Sequence, residues 1–249
     1  MAPPAEIRIV ETARDLFQAA ATEFATLARE ATRSRGRFSV ALSGGSTPRG
    51  LYALLAAGTV ATIPWDKVCF FWSDERHVPP DHPDSNYRLA NEAMLSQVPL
   101  RPENVFRIHS EETDARAAAL AYEQTLRTFF ALQPGEFPRF DLILLGLGPD
   151  GHTASLFPRS LALGETKKLV VANWVEEFKT DRITFTFPVL NHAACVMFLV
   201  SGAEKARILK DVLENPDSNL PAQRVRPDEG RLVWLADHAA AGGLRKHSF

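Results

Sequence analysis

Residues 146–152 read Gly-Leu-Gly-Pro-Asp-Gly-His. A carboxylate, Asp150, and an imidazole, His152, stand two residues apart in a glycine-rich turn after the apolar run DLILL at 141–145. An imidazole with an ordinary pKa near ~6.5 takes a proton from water at neutral pH, which is the work of a general base. Asp150 either orients that imidazole or holds a substrate hydroxyl. The glycines also satisfy G-x-G-x-x-G, the dinucleotide-binding spacing, and a helix over the following residues would complete that motif. Two features count against it. The loop falls past the middle of the chain, whereas the fingerprint opens its first βαβ unit. A pyrophosphate site also has no use for Asp150 and His152.

A second glycine loop, Ser43-Gly44-Gly45-Ser46-Thr47-Pro48, follows the run FSVAL at 38–42 and precedes a helical pattern. Thr47 suits an N-cap and Pro48 a first helical position. Gly44 and Gly45 let the main chain turn tightly and approach a ligand. Ser43, Ser46 and Thr47 add hydroxyls, and the first N–H groups of the helix are free to bind an anion. The helix dipole contributes only about 0.3–1 kcal/mol, so converging hydrogen bonds must supply the rest. No Gly-Lys-Ser/Thr follows, which disfavours a nucleoside triphosphate and favours a small phosphorylated metabolite. A plain capped turn between strand and helix is the alternative.

A third polar cluster, WSDERHVP at 72–79, ends another apolar run and carries Asp74, Glu75, Arg76 and His77. It reads either as a solvated turn or as a source of one functional side chain. His77, Asp81 and His82 are poor metal ligands as a set, because Pro79, Pro80 and Pro83 oppose their convergence. No metal is expected.

These loops need a scaffold. Apolar runs at 7–10, 38–42, 67–73, 105–108, 141–146, 168–174, 182–187, 195–200 and 231–235 read as strands. Several are apolar at nearly every position, the mark of strands covered on both faces. Alanine- and leucine-rich stretches between them carry helical spacing; in 12–36 the stripe is Leu16, Phe17, Ala20, Phe24, Leu27 and Ala28. The alternation predicts an α/β fold with a mainly parallel sheet. RITFTF and CVMFLV lie close together and threaten that pattern. Residues 78–86 and 215–230 read as loops, the latter as a long surface loop. No domain boundary is apparent, so 1–249 is expected to form a single domain.

A net charge of −2 leaves no basic excess for nucleic acid. No apolar run approaches the ~20 residues of a membrane span. The opening MAPPAEIRIVETARD is not a secretory signal. Cys69 and Cys195, the only two cysteines, read as reduced core thiols. A soluble cytoplasmic protein, monomeric or a small homo-oligomer, is the expectation.

SGGSTP (43–48), WSDERHVP (72–79) and GLGPDGHTASLFP (146–158), in this order, closely resemble the 6-phosphogluconolactonase family. RITFTFPVLNHA (182–193), FLVSGAEKARIL (198–209) and VWLADHAAAGGL (233–244) extend the likeness over most of the chain. The resemblance implies a three-layer αβα sandwich within the glucosamine-6-phosphate deaminase and ribose-5-phosphate isomerase superfamily. It implies hydrolysis of 6-phospho-D-glucono-1,5-lactone in the oxidative pentose phosphate pathway, without a cofactor. His152 would be the general base. Gly44–Thr47 would hold the phosphate with Lys205 and Arg182. Arg76 would contact substrate and stabilise developing charge, and Asp74 and Asp150 would orient hydroxyls or the base. One departure is EEFKTDRITFTF, which lacks the prolines that family members often carry ahead of the RIT arginine.

Three rivals remain. A glucosamine-6-phosphate deaminase would share fold and phosphate loop, but typically reads GHIAFNEP and DEY where this chain has GHTASLFP and DER. A non-catalytic sugar-phosphate-binding domain of a transcription regulator would carry a helix-turn-helix and a basic face, and neither is visible. An NAD-dependent dehydrogenase is the third.

Overall fold

The computed structural model describes residues 4–59 and 62–245. The elements are β1 (Glu6–Val10), α1 (Ala13–Arg35), β2 (Phe38–Leu42), α2 (Ser46–Ala56), β3 (Val68–Trp72), β4 (Asp74–Arg76), α3 (Asn86–Ala93), α4 (Ala115–Phe130), β5 (Leu142–Leu145), β6 (Val170–Val175), β7 (Thr180–Phe185), α5 (Phe187–Asn191), β8 (Cys195–Val200), α6 (Ala206–Glu214), β9 (Arg231–Asp237) and α7 (His238–Ala241). Six strands form a parallel sheet in the order β1-β9-β8-β5-β2-β3, flanked by helices. β2, β3, β5 and β8 are buried at every residue, which is why they read as unbroken apolar runs. α1 starts at a Thr12–Asp15 capping box and stops at Gly36, whose φ of 76° is left-handed. It buries Leu16, Ala20, Phe24 and Ala28 against β2 and β9.

The strand order sets the position of the site. From β2 the chain moves to β3 on one side, and from β5 to β8 and β9 on the other. The order therefore reverses between β2 and β5, and a crevice opens at their carboxyl ends, where open α/β sheets bind ligands.

A second, antiparallel sheet, β4-β7-β6, stands beside that crevice. Here the sequence misleads. The runs at 168–174 and 182–187 do fall on strands, β6 and β7, but these pair as a hairpin outside the parallel sheet. Residues 74–76, read either as a solvated turn or as a source of one functional side chain, form β4 and pair with β7, Arg76 opposite Arg182. α4 packs on β6 and β7, and its Tyr122 hydroxyl donates to the Trp72 carbonyl and accepts from the Trp72 N–H on β3.

Four further expectations need correction. Residues 105–108 form no strand; Val105 makes one bridge to Phe70, and Phe106 instead stacks on Phe71 at 4.7 Å. No helix follows Gly151: residues 149–160 are turns with one short bridge, Thr153 to Leu156. Thr47 is not the N-cap of α2; Gly45, at φ 106°, takes that place, and Pro48 falls at the third helical position. Residues 215–230 are not a plain surface loop, since they hold two 3-10 turns and bury Ala222 and Val225.

Candidate active site

The loops after β2, β5 and β8 and the start of β4 enclose one cavity of about 260 Å³. Ser43 to Pro48, Asp74, Arg76, Asn86, Gly146 to Pro149, His152 and Lys205 are in its wall.

His152 enters from the loop after β5. Its Nδ1 lies 2.5 Å from Asp150 Oδ1, and the same oxygen accepts from the His152 N–H at 3.1 Å. An ionised carboxylate only accepts, so Nδ1 carries the hydrogen and Nε2 is left as the basic nitrogen. No described residue hydrogen-bonds to Nε2. Burial raises the Asp150 carboxyl, but the hydrogen bond and charge of His152 outweigh it and hold the group below its ordinary 3.8. Phe157 stacks on the imidazole, centroids 4.1 Å apart.

Two glycines of this loop, Gly148 and Gly151, have steric work. A Cβ on Gly148 would stand 2.1 Å from His152 Nδ1, so only glycine lets the imidazole lie against the main chain. Gly151 has φ +80°, and a Cβ there would meet Leu220 at 2.8 Å. The Gly151 carbonyl accepts from the Ala222 N–H at 3.0 Å. The 220–222 segment therefore braces the turn from behind.

Across the cavity, Gly44 and Gly45 carry the chain into α2. The Ser43 main chain is held by the buried Tyr52 hydroxyl at 3.0 and 2.8 Å. No side chain caps α2, so its first N–H groups are free for an anion. Lys205, before α6, donates from Nζ to the Leu147 carbonyl at 2.9 Å, which sets an ammonium in the same wall. The arrangement suits a phosphoryl group between a cation and a helix start, facing an imidazole base.

β4 contributes differently. Asp74 is buried; its Oδ2 accepts from the Ser155 hydroxyl at 2.6 Å, and its main-chain carbonyl accepts from Asn86 Nδ2 at 2.9 Å. Asp74 therefore ties β4 to the His152 loop, while Asp150 is the partner of the imidazole. Glu75, also buried, accepts N–H bonds from Asn86, Tyr87 and Arg76 at 2.7, 2.8 and 2.9 Å. Burial, aided by the Asp74 charge, still pushes its carboxyl up. Arg76 reaches the Asp84 carbonyl at 2.5 Å and lines the cavity. Arg182 does not line it. Its guanidinium stands 5.2 Å from the Phe178 ring centre, and burial together with the charge of Arg76 depresses its pKa.

Of the residues singled out in the sequence, His152, Arg76, Asp74, Lys205 and Ser43 to Thr47 meet at the cavity, with Asp150 one bond behind His152. Asn86, Ser155 and Phe157 were missed. Ser155 and Phe157 lie in the GHTASLFP run itself; Asn86 follows Ser85, the N-cap of α3, which is the one local signal available. Among the described residues no cluster of three or more His, Cys, Asp or Glu side chains is arranged to hold a metal. Among the described residues no helix is long and apolar enough to cross a membrane.

Known proteins share this architecture. A 6-phosphogluconolactonase of Synechocystis is 41% identical over 98% of this chain and all of its own length. One of Nostoc is 44% identical, covering 86% of this chain and 88% of its own. The solved 6-phosphogluconolactonase of Trypanosoma brucei superposes with a TM-score of 0.87 at 31% identity, over 97% of this chain and 99% of that one. The model of the glucosamine-6-phosphate isomerases/6-phosphogluconolactonase family matches residues 11–234, and the chain belongs to that family.

Proposed function

We propose that the chain hydrolyses 6-phospho-D-glucono-1,5-lactone to 6-phosphogluconate, as in the oxidative pentose phosphate pathway. The observation that carries this reading is the His152–Asp150 pair facing, across one cavity, the uncapped start of α2 and the Lys205 ammonium. Relatives bearing the 6-phosphogluconolactonase name at 41–44% identity support it.

In this reading the phosphate rests on Gly44–Thr47 and Lys205, and its binding energy fixes the ring. His152 Nε2 takes a proton from water as the oxygen attacks the C1 carbonyl. Asp150 holds the imidazole in the required tautomer and stabilises the imidazolium. Arg76 offsets charge on the carbonyl oxygen in the tetrahedral intermediate. Collapse breaks the bond from C1 to the ring oxygen, and the imidazolium returns its proton to that oxygen. Water and lactone thus give the hydroxy acid, which ionises. A lactone carbonyl is activated enough to need no covalent nucleophile. Arg182, beside Arg76 in register, adds positive potential at the rim instead of a direct contact.

The family also contains isomerases of glucosamine-6-phosphate, so the test offers both substrates. Acid release from fresh 6-phosphogluconolactone above the spontaneous rate, with no ammonia from glucosamine-6-phosphate, is the expected result. Ammonia release without lactone hydrolysis would reverse the assignment.

A further inference from the structure

We propose that Phe157 is a positioning residue for the base: its ring, stacked on the imidazole, holds His152 in the one orientation from which Nε2 can serve the cavity. The proposal rests on the lactonase reading for its kinetic consequence but not for its geometry.

Asp150 alone does not fix the imidazole. A single hydrogen bond at Nδ1 still lets the ring tilt by small torsions about Cα–Cβ and Cβ–Cγ, and a tilt moves Nε2 away from any water it must deprotonate. Two further contacts remove this freedom. The Gly148 main chain lies so close that a Cβ would sit 2.1, 2.2 and 2.7 Å from Nδ1, Cε1 and Cγ of the ring. Phe157 covers the imidazole with centroids 4.1 Å apart and planes inclined by 30°. Phe157 is itself held; it is 9% exposed, and Phe178 meets its ring at 6.1 Å in an edge-on contact.

The stack also has an electronic consequence. As His152 accepts its proton, the ring gains a positive charge beside an aromatic π system, and that attraction exists only once charge develops. Phe157 touches neither water nor substrate in this scheme, since it is absent from the cavity wall. Its loss should thus lower kcat and leave KM alone.

The test compares wild type with Phe157→Leu, Phe157→Met and Phe157→Tyr. Proton NMR of His152 comes first and needs no substrate: ring protons shifted upfield in wild type and Phe157→Tyr, and not in Leu or Met, are expected. Unshifted protons in wild type would overturn the stack whatever the kinetics show. On 6-phosphogluconolactone, Phe157→Leu should lose at least about tenfold in kcat, since small misplacements of reacting groups are costly, with KM unchanged. Phe157→Tyr should recover most of the loss. Phe157→Met keeps a large apolar side chain without a ring and replaces Leu in the comparison if Leu fails to fold. Wild-type kcat in the folded Leu or Met variant would overturn the proposal. Absence of lactone hydrolysis by wild type would overturn the lactonase reading while the NMR result still stood on its own.

Discussion

The two glycine loops look alike in sequence and are built on opposite principles. Gly44–Gly45 ends a buried strand and hands the chain to α2, whose free N–H groups face the cavity. Gly146–Gly151 also ends a buried strand, but no helix follows; the main chain closes on itself through Gly148 N–H to the His152 carbonyl at 2.8 Å. In the proposed reading the first loop binds ligand with its main chain, Gly44 also leaving room for Asn86. In the same reading the second loop presents a side chain as the base, and Gly148 makes room for it. Two glycines of the G-x-G-x-x-G spacing, Gly148 and Gly151, are thus accounted for by the seating of His152 and Leu220, while a Cβ at Gly146 would meet nothing within 4 Å.

That contrast can be broken by one methyl group in each loop. A Cβ at Gly148 would overlap the imidazole, whereas one at Gly44 would stand 1.8 Å from Asn86 Oδ1. Gly148→Ala should cost roughly 10²-fold in kcat, the scale of a displaced base, with little change in KM. Gly44→Ala should act mainly on KM. Steady-state kinetics on the lactone read both, and equal patterns in the two variants would erase the division of labour.

A smaller effect is expected from the cation shared by the loops. Lys205 is anchored on the Leu147 carbonyl of the second loop yet is assigned to the phosphate beside the first. Lys205→Ala should raise KM about tenfold or more, the scale of a lost charge-assisted bond, and weaken the preference for phosphorylated over plain gluconolactone. Unchanged discrimination would put the phosphate elsewhere.

The smallest effect is on stability. The Asp150 carboxyl lies below its ordinary 3.8 in the folded chain. Its contribution is thus present above that pH and lost as pH falls through the folded value. With its side chain 38% exposed, the contribution is modest. Urea midpoints of wild type and Asp150→Asn should converge as the pH falls below 3.8. A gap that stays constant would mean that the pair does not favour the ionised carboxylate.

The parallel core was legible because strands buried on both faces leave continuous apolar runs, as in Val68–Trp72 and Cys195–Val200. The antiparallel sheet was not. Its β4 is three residues long and carries Asp74, Glu75 and Arg76, which burial against β7 and α3 alone makes into a strand. Residues 215–230 misled for a similar reason: a run rich in Pro, Asn and Asp reads as solvated, and only the fold shows Ala222 and Leu220 set against Gly151. His152 and Asp150 were legible as chemistry, but their pairing was not, since Asp74 was an equal candidate until Ser155 was found on its carboxylate. The departure ahead of Arg182 was visible, and the position of the Arg182 guanidinium, over Phe178 and outside the cavity wall, was not.

The most direct test of the division between the loops is acid release from freshly prepared 6-phosphogluconolactone by wild type and by His152→Ala, each against the spontaneous rate. Hydrolysis well above background by wild type, reduced at least ~10²-fold in a folded His152→Ala protein, is the predicted result. Near-wild-type turnover in that variant would contradict the assignment of the base to the second glycine loop.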